Sequence, residues 1–154
     1  MSNAVTQKLS IFLTFHGNAE EAMNFYTSVF ENAEVAHVIR ARAEDTGWTE
    51  GTLQYGIFKI AGQQVICMNT PPPGSRPHNI APWHEFKFNP AITIYVERDS
   101  KEDFDKLYEA LIEGGEIYLP AQSYGFSPKF AWVNDRYGIS WRISLSSNPA
   151  QPNR

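Results

Sequence analysis

A single cysteine, Cys67, stands in the 154 residues. That excludes an intramolecular disulfide and fits a reducing, cytoplasmic setting. Basic residues are outnumbered, 13 Lys and Arg against 17 Asp and Glu, for a net charge of −4. A dedicated nucleic-acid binder usually carries a basic face, so the balance argues against that class. The same deficit argues against docking on anionic membranes. Apolar runs are short, such as Ala91–Val96, and none approaches the roughly 18 residues that a membrane-spanning helix needs. Only Lys8 precedes the short run Ile11-Phe12-Leu13, too little for a secretory signal. The four histidines, His16, His37, His78 and His84, include no pair at helical chelating spacing, and paired cysteines are missing. Nucleotide-cradling glycine patterns are also missing, and Gly125–Lys129 and Gly138–Arg142 both fail the nucleophile-elbow pattern.

What is there is apolar and aromatic. Hydrophobic residues make up 42% of the chain and aromatics 14%, enough for a packed core without covalent staples. The pattern reads strand, helix, three strands, and then the same again. Leu9–Phe15 is apolar and β-prone. Asn18 is placed as a helix N-cap, with Glu21 three residues on as a capping-box partner. Ala19, Ala22, Met23, Tyr26, Val29 and Phe30 follow at helical spacing. Strands are expected over 34–42, 52–60 and 63–69. In the second half a strand is expected over 91–96, then a helix capped by Asp99-Ser100 and stopped at Gly114-Gly115. Strands over 116–124, 129–134 and 139–145 complete it. The division is therefore a first βαβββ module over 8–69, a Pro-rich connector over 70–90, a second module over 91–145 and a loose tail over 146–154. The first strands of the halves are aligned 81 residues apart and the last strands 76. The expected fold class is α+β, with each sheet covered on one face by its helix.

Two segments carry a family resemblance. Phe15-His16-Gly17-Asn18-Ala19-Glu20-Glu21-Ala22 with Phe25-Tyr26, and Phe130–Trp141 with its Asn134-Asp135-Arg136-Tyr137-Gly138 turn, resemble the opening and closing motifs of PhnB-like proteins. These belong to the vicinal oxygen chelate superfamily, which includes glyoxalase I, bleomycin-resistance proteins and extradiol dioxygenases. The resemblance spans roughly residues 8–145. It implies two paired βαβββ modules whose eight mixed strands form a cupped pocket, and commonly a homodimer. It does not imply one reaction. Many such sequences carry the label 3-demethylubiquinone 3-methyltransferase, which no glycine-rich strand-to-helix turn supports here.

Superfamily enzymes hold a divalent metal with side chains from the first and last strands of each module. Carried onto this chain, those positions are Ser10 or Ile11, Ile66, Ala91 and Arg142. None offers imidazole, carboxylate or thiolate, so no metal and no cofactor is expected.

The candidate site then rests on strand parity and aromatic content. In the first strand Phe12, Thr14 and His16 should face away from the helix, and Leu13 and Phe15 toward it. In the last strand Arg142 should face away, opposite Trp141 and Ile143. An inward arginine either pairs with a carboxylate, within the chain or across a dimer, or awaits an anionic ligand. Thr93 and Tyr95 share its face by the same parity. Trp48, Tyr124 and Phe126 lie in loops that the resemblance places near the pocket mouth, where aromatics can stack on a flat ligand. Cys67, in the apolar run 65–68, reads as a buried hydrophobe rather than a nucleophile. The expected function is metal-independent binding of a small aromatic or anionic organic molecule, with Arg142 as anchor. The alternative is a lyase, isomerase or transferase acting beside a carbonyl. There His16 or a tyrosine would be the general base and Arg142 the oxyanion stabiliser.

Overall fold

A computed structural model describes residues 9–72 and 87–147. The connector expected over 70–90 and the tail expected over 146–154 lie largely outside them, as do His78 and His84. The chain divides into two compact units, Met1–Phe86 and Lys87–Arg154.

The first unit runs β1 (Ile11–Phe15), α1 (Ala19–Val29), β2 (Glu34–Arg40), β3 (Leu53–Ile60) and β4 (Gln63–Asn69). Its sheet has the order β1-β4-β3-β2. β1 lies parallel to β4 and the other pairs are antiparallel. α1 is the crossover that parallel pairing requires. Its apolar stripe, Ala19, Ala22, Met23 and Tyr26, packs on one sheet face together with Leu13, Phe15, Phe58, Val65 and Cys67, all buried.

The second unit repeats the plan. It runs β5 (Ile94–Arg98), α2 (Lys101–Ile112), β6 (Glu116–Gln122), β7 (Phe130–Asn134) and β8 (Ser140–Leu145), in the order β5-β8-β7-β6. Phe104, Leu107 and Leu111 of α2 are buried, as are Ala131, Val133, Trp141 and Ile143 on the helix side of the sheet. Among the described residues no helix is long and apolar enough to cross a membrane. The fold class is α+β, two four-stranded mixed sheets each with one helix.

Three details depart from the sequence reading. First, the strand expected over 91–96 begins later, at Ile94. β5 pairs with β8 as Tyr95↔Arg142, where β1 pairs with β4 as Phe12↔Ile66. Phe12 therefore corresponds to Tyr95, an offset of 83 residues rather than 81, and the second-unit counterpart of Ser10 is Thr93, not Ala91. Side chains bear this out: Gln64 donates to Ser10 Oγ at 2.9 Å, and Thr93 Oγ1 lies 2.9 Å from Ser140 Oγ. Second, Asn18 occupies the N-cap position of α1 without a side-chain cap bond. Its φ of −113° and ψ of 22° lie outside the extended region that an N-cap side chain normally needs. The cap comes from Asn69 at the end of β4. Its Oδ1 accepts from Gly17 N and Ala19 N, both at 3.0 Å, and its Nδ2 donates to Leu53 O. Third, strand bounds shift by two residues: β1 begins at Ile11 rather than Leu9, β2 ends at Arg40 rather than at 42 and β6 ends at Gln122 rather than at 124. At α2 the expected cap is present, Ser100 Oγ accepting from Asp103 N at 3.1 Å.

Candidate functional site on the open sheet faces

Each helix covers one face of its sheet, and most of the strand candidates lie on the other. In the second unit that face is ordered by register. Tyr95, Arg142 and Trp132 are successive cross-strand partners on β5, β8 and β7, and the Tyr118 ring of β6 lies 5.0 Å from that of Trp132. A cation thus sits within a row of aromatics.

The Arg142 guanidinium lies 4.5 Å over the Trp132 ring centroid, within cation–π range. Arg142 is half-buried. No carboxylate pairs with it among the described residues. Of the sequence options, the pair within the chain is not made among the described residues, which leaves a carboxylate across a dimer or an anionic ligand.

Trp132 is itself held. Its Nε1 donates to Ser140 Oγ at 2.8 Å, and Ser140 in turn meets Thr93. A chain Thr93–Ser140–Trp132 therefore fixes the indole plane on which Arg142 rests. Ser140 and Ser144, which alternate with Trp141 and Ile143 as Arg142 does, are buried. Ser144 Oγ donates to Ser127 Oγ at 2.9 Å, so both serines serve the frame.

The remaining candidates of this unit are also placed. Tyr95 is 55% exposed, and its hydroxyl donates to Glu97 Oε1 at 3.1 Å. Tyr124 donates to Pro120 O at 2.8 Å and stacks on Phe126 at 6.3 Å. Phe126 meets Phe130 edge-on at 4.9 Å and is 68% exposed. Phe130 pairs with Ser144 on the face of Arg142, so this aromatic cluster borders the same face.

Asp135 was not a sequence candidate, yet it organises the closing motif. Its Oδ1 accepts from Tyr137 N and Ile139 N, and its Oδ2 from Trp141 Nε1 at 2.8 Å. Gly138, at φ +89°, allows the turn. The buried carboxylate thus ties the β7–β8 turn to the core tryptophan that alternates with Arg142. The signal available in sequence was the turn chemistry itself, which gave no reach to Trp141.

The first unit's open face is apolar. Phe12, Ile66 and Ile57 form one cross-strand row and Thr14, Met68 and Tyr55 the next. Phe12 is 49% exposed and lies 6.1 Å from the Tyr55 ring. His16 is exposed at the end of β1, with Nδ1 3.4 Å from Thr70 Oγ1. Trp48 is half-buried in the β2–β3 loop, its backbone N bonded to Asp45 O. Cys67 is fully buried under α1, and burial pushes its thiol up to about 11. Such a thiol is no nucleophile at neutral pH.

The positions that correspond to metal ligands do not suit a divalent cation. Ser10 is bonded by Gln64, Ile66 is aliphatic, Thr93 is bonded to Ser140, and Arg142 carries a positive charge. Among the described residues no three His, Cys, Asp or Glu side chains come together as a ligand set.

Comparison with known proteins agrees with this architecture. A family model described as 3-demethylubiquinone-9 3-methyltransferase matches residues 7–144. The solved PhnB protein of Bacillus cereus is 38% identical, covering 91% of this chain and 100% of its own, with a TM-score of 0.78. Protein YjdN of Escherichia coli (strain K12) is 20% identical over 150 residues, 89% of this chain and 94% of that protein. A fosfomycin resistance protein, FosX of Listeria monocytogenes, was solved with Mn(II) and a dihydroxypropylphosphonic acid. It shares the fold at 16% identity and a TM-score of 0.57, over 93% of this chain and 94% of its own.

Proposed function

The chain belongs to the PhnB-like family of the vicinal oxygen chelate superfamily, and on that premise we propose that it is a metal-independent binder of a small anionic organic molecule, with Arg142 as the anchor. One observation carries the reading. A half-buried guanidinium lies over an indole with no carboxylate partner among the described residues. A cation in that state is desolvated on one side and unpaired on the other, so an incoming carboxylate or phosphonate gains a charge-assisted and bidentate contact. The aromatics beside it, Tyr95, Trp132 and Tyr118, offer faces and edges to an aromatic body. Thr93 and Ser140 act as positioning residues behind Trp132.

A metal step is not part of this reading, because the corresponding positions lack metal-ligating side chains. The methyl transfer in the family description is not adopted either. The turn from β1 to α1 holds one glycine, Gly17, and the turn from β5 to α2 holds none. That is not the phosphate-cradling turn of a nucleotide-type cofactor site. A homodimer, as the family resemblance implies, and a cytoplasmic setting, as the single cysteine suggests, belong to the same proposal.

The test is calorimetric titration of chelator-treated protein with benzoate and phenylphosphonate. Wild type should bind, Arg142→Met should bind at least about tenfold more weakly, and Arg142→Lys should be intermediate. Equal binding by wild type and Arg142→Met would overturn the assignment.

A further inference from the structure

Arg142 has a neighbour of opposite charge on the same face that it does not use. Glu97 pairs in register with Ser144, two residues along β8 from Arg142, and both side chains point away from α2. With parallel strands ~4.8 Å apart and a rise of ~3.3 Å per residue, positions two residues out of register lie roughly 8 Å apart, within reach of long side chains. An ion pair between them would be the ordinary outcome. Instead Arg142 rests on Trp132 at 4.5 Å, and the Glu97 carboxylate accepts from the Tyr95 hydroxyl at 3.1 Å. Among the described residues neither makes a salt bridge. Tyr95 neighbours both, two residues before Glu97 on β5 and the cross-strand partner of Arg142. The face thus presents a cation and an anion, each oriented by an aromatic side chain.

Two fixed opposite charges held short of each other complement a molecule that carries both signs. We propose that the ligand of this face is a zwitterion, with its anionic group on Arg142 and its ammonium group on Glu97. This rests on the Arg142 reading above and narrows it to amino acid-like compounds with an apolar or aromatic side chain. A carboxylate-only ligand would leave the Glu97 charge facing its own carboxylate, and an amine-only ligand would face Arg142, so each is disfavoured by like charge. The Tyr95 hydroxyl is a positioning group that aims the Glu97 carboxylate.

Three probes of one skeleton separate the terms: L-phenylalanine, 3-phenylpropionate and phenethylamine. Each is titrated calorimetrically at pH 7 into wild type, Glu97→Gln and Arg142→Met, with folding of each variant checked by circular dichroism. Wild type should bind phenylalanine at least about fivefold more tightly than either other probe. In Glu97→Gln, phenylalanine should weaken to the level of phenylpropionate, while phenylpropionate binds as well as before or better. In Arg142→Met, both carboxylates should weaken tenfold or more. If phenylpropionate needs Arg142 but phenylalanine binds no tighter, or keeps its advantage in Glu97→Gln, the zwitterion inference fails and the anion reading stands. If neither carboxylate depends on Arg142, both fail together.

Discussion

Arg142 shows how much one side chain's position can say before any ligand is known. Alternation along 140–145 places it opposite the buried Trp141 and Ile143, and that parity was readable from sequence. Its stacking on Trp132 was not, because the two meet across strands 10 residues apart in the chain, and register is set by pairing rather than by letters. The frame behind it makes a separable prediction. Ser140→Ala removes the acceptor for Trp132 Nε1 and frees the indole to reorient. Benzoate affinity should fall severalfold in calorimetry while Arg142 itself is unchanged. An unaltered affinity would show that the Thr93–Ser140–Trp132 chain has no bearing on the anchor. Cys67 gives a second test at this scale. Burial pushes its thiol from 9.0 to about 11. Below pH 9 the thiol is protonated in both the folded and unfolded chain, so it contributes no pH slope. Between 9 and about 11 the unfolded chain releases the proton while the native chain holds it, so this group lowers stability as pH rises. Relative to Cys67→Ala, denaturant melts of wild type should lose stability more steeply across that window. The native protein should also resist a thiol reagent at pH 7 and react only on unfolding.

At the level of elements, two polar ties, one long-range and one local, hold what periodicity alone could not foresee. The helix start at Ala19 was legible, since Gly17-Asn18 ends one pattern and begins another. The capping group was not. Asn18 has the right chemistry, but the bonds come from Asn69, about 50 residues on, which satisfies two amides of the β1–α1 turn and one carbonyl of β3. Asn69→Ala leaves buried groups unpaired and should cost about 1–3 kcal/mol, whereas Asn18→Ala should cost much less. Chemical denaturation of both variants checks the order, and a larger loss from Asn18→Ala would contradict the cap assignment. Asp135 is the counterpart in the second unit. Removing its carboxylate strands the Trp141 indole N–H and two turn amides. Asp135→Ala should therefore destabilise by roughly 2–4 kcal/mol, measured by the same melts. The β7–β8 turn also meets a tight backbone approach. A Cβ at Gly115 would lie 2.1 Å from Asn134 O, a contact that only glycine permits.

Over the whole molecule, the repeat is one of register more than of residues. Both units pair their first and last strands in parallel and both carry a polar side-chain pair one row before the central position, Ser10 with Gln64 and Thr93 with Ser140. The two-module plan was legible because element order, glycine turns and helix stripes recur. The two-residue error in offset arose because the apolar run 91–96 includes three residues ahead of the strand, and hydrophobicity alone cannot say where pairing starts. The units differ in chemistry at equivalent positions. Phe12 and Ile66 are apolar, whereas Tyr95 and Arg142 are polar. Divergence of this kind puts the proposed anion anchor in the second unit. The proposed homodimer should appear in sedimentation equilibrium as a mass near twice 17.5 kDa; a monomer at high micromolar concentration would remove it from the account.

The most direct test of the anion anchor is a nuclear magnetic resonance titration of chelator-treated, nitrogen-15-labelled protein with benzoate. An anion anchored on Arg142 over Trp132 should give saturable shifts of the Arg142 Nε–H and Trp132 Nε1–H resonances without added metal, and benzyl alcohol should give none. Resonances that stay still with benzoate, or move only after a divalent cation is supplied, would contradict it.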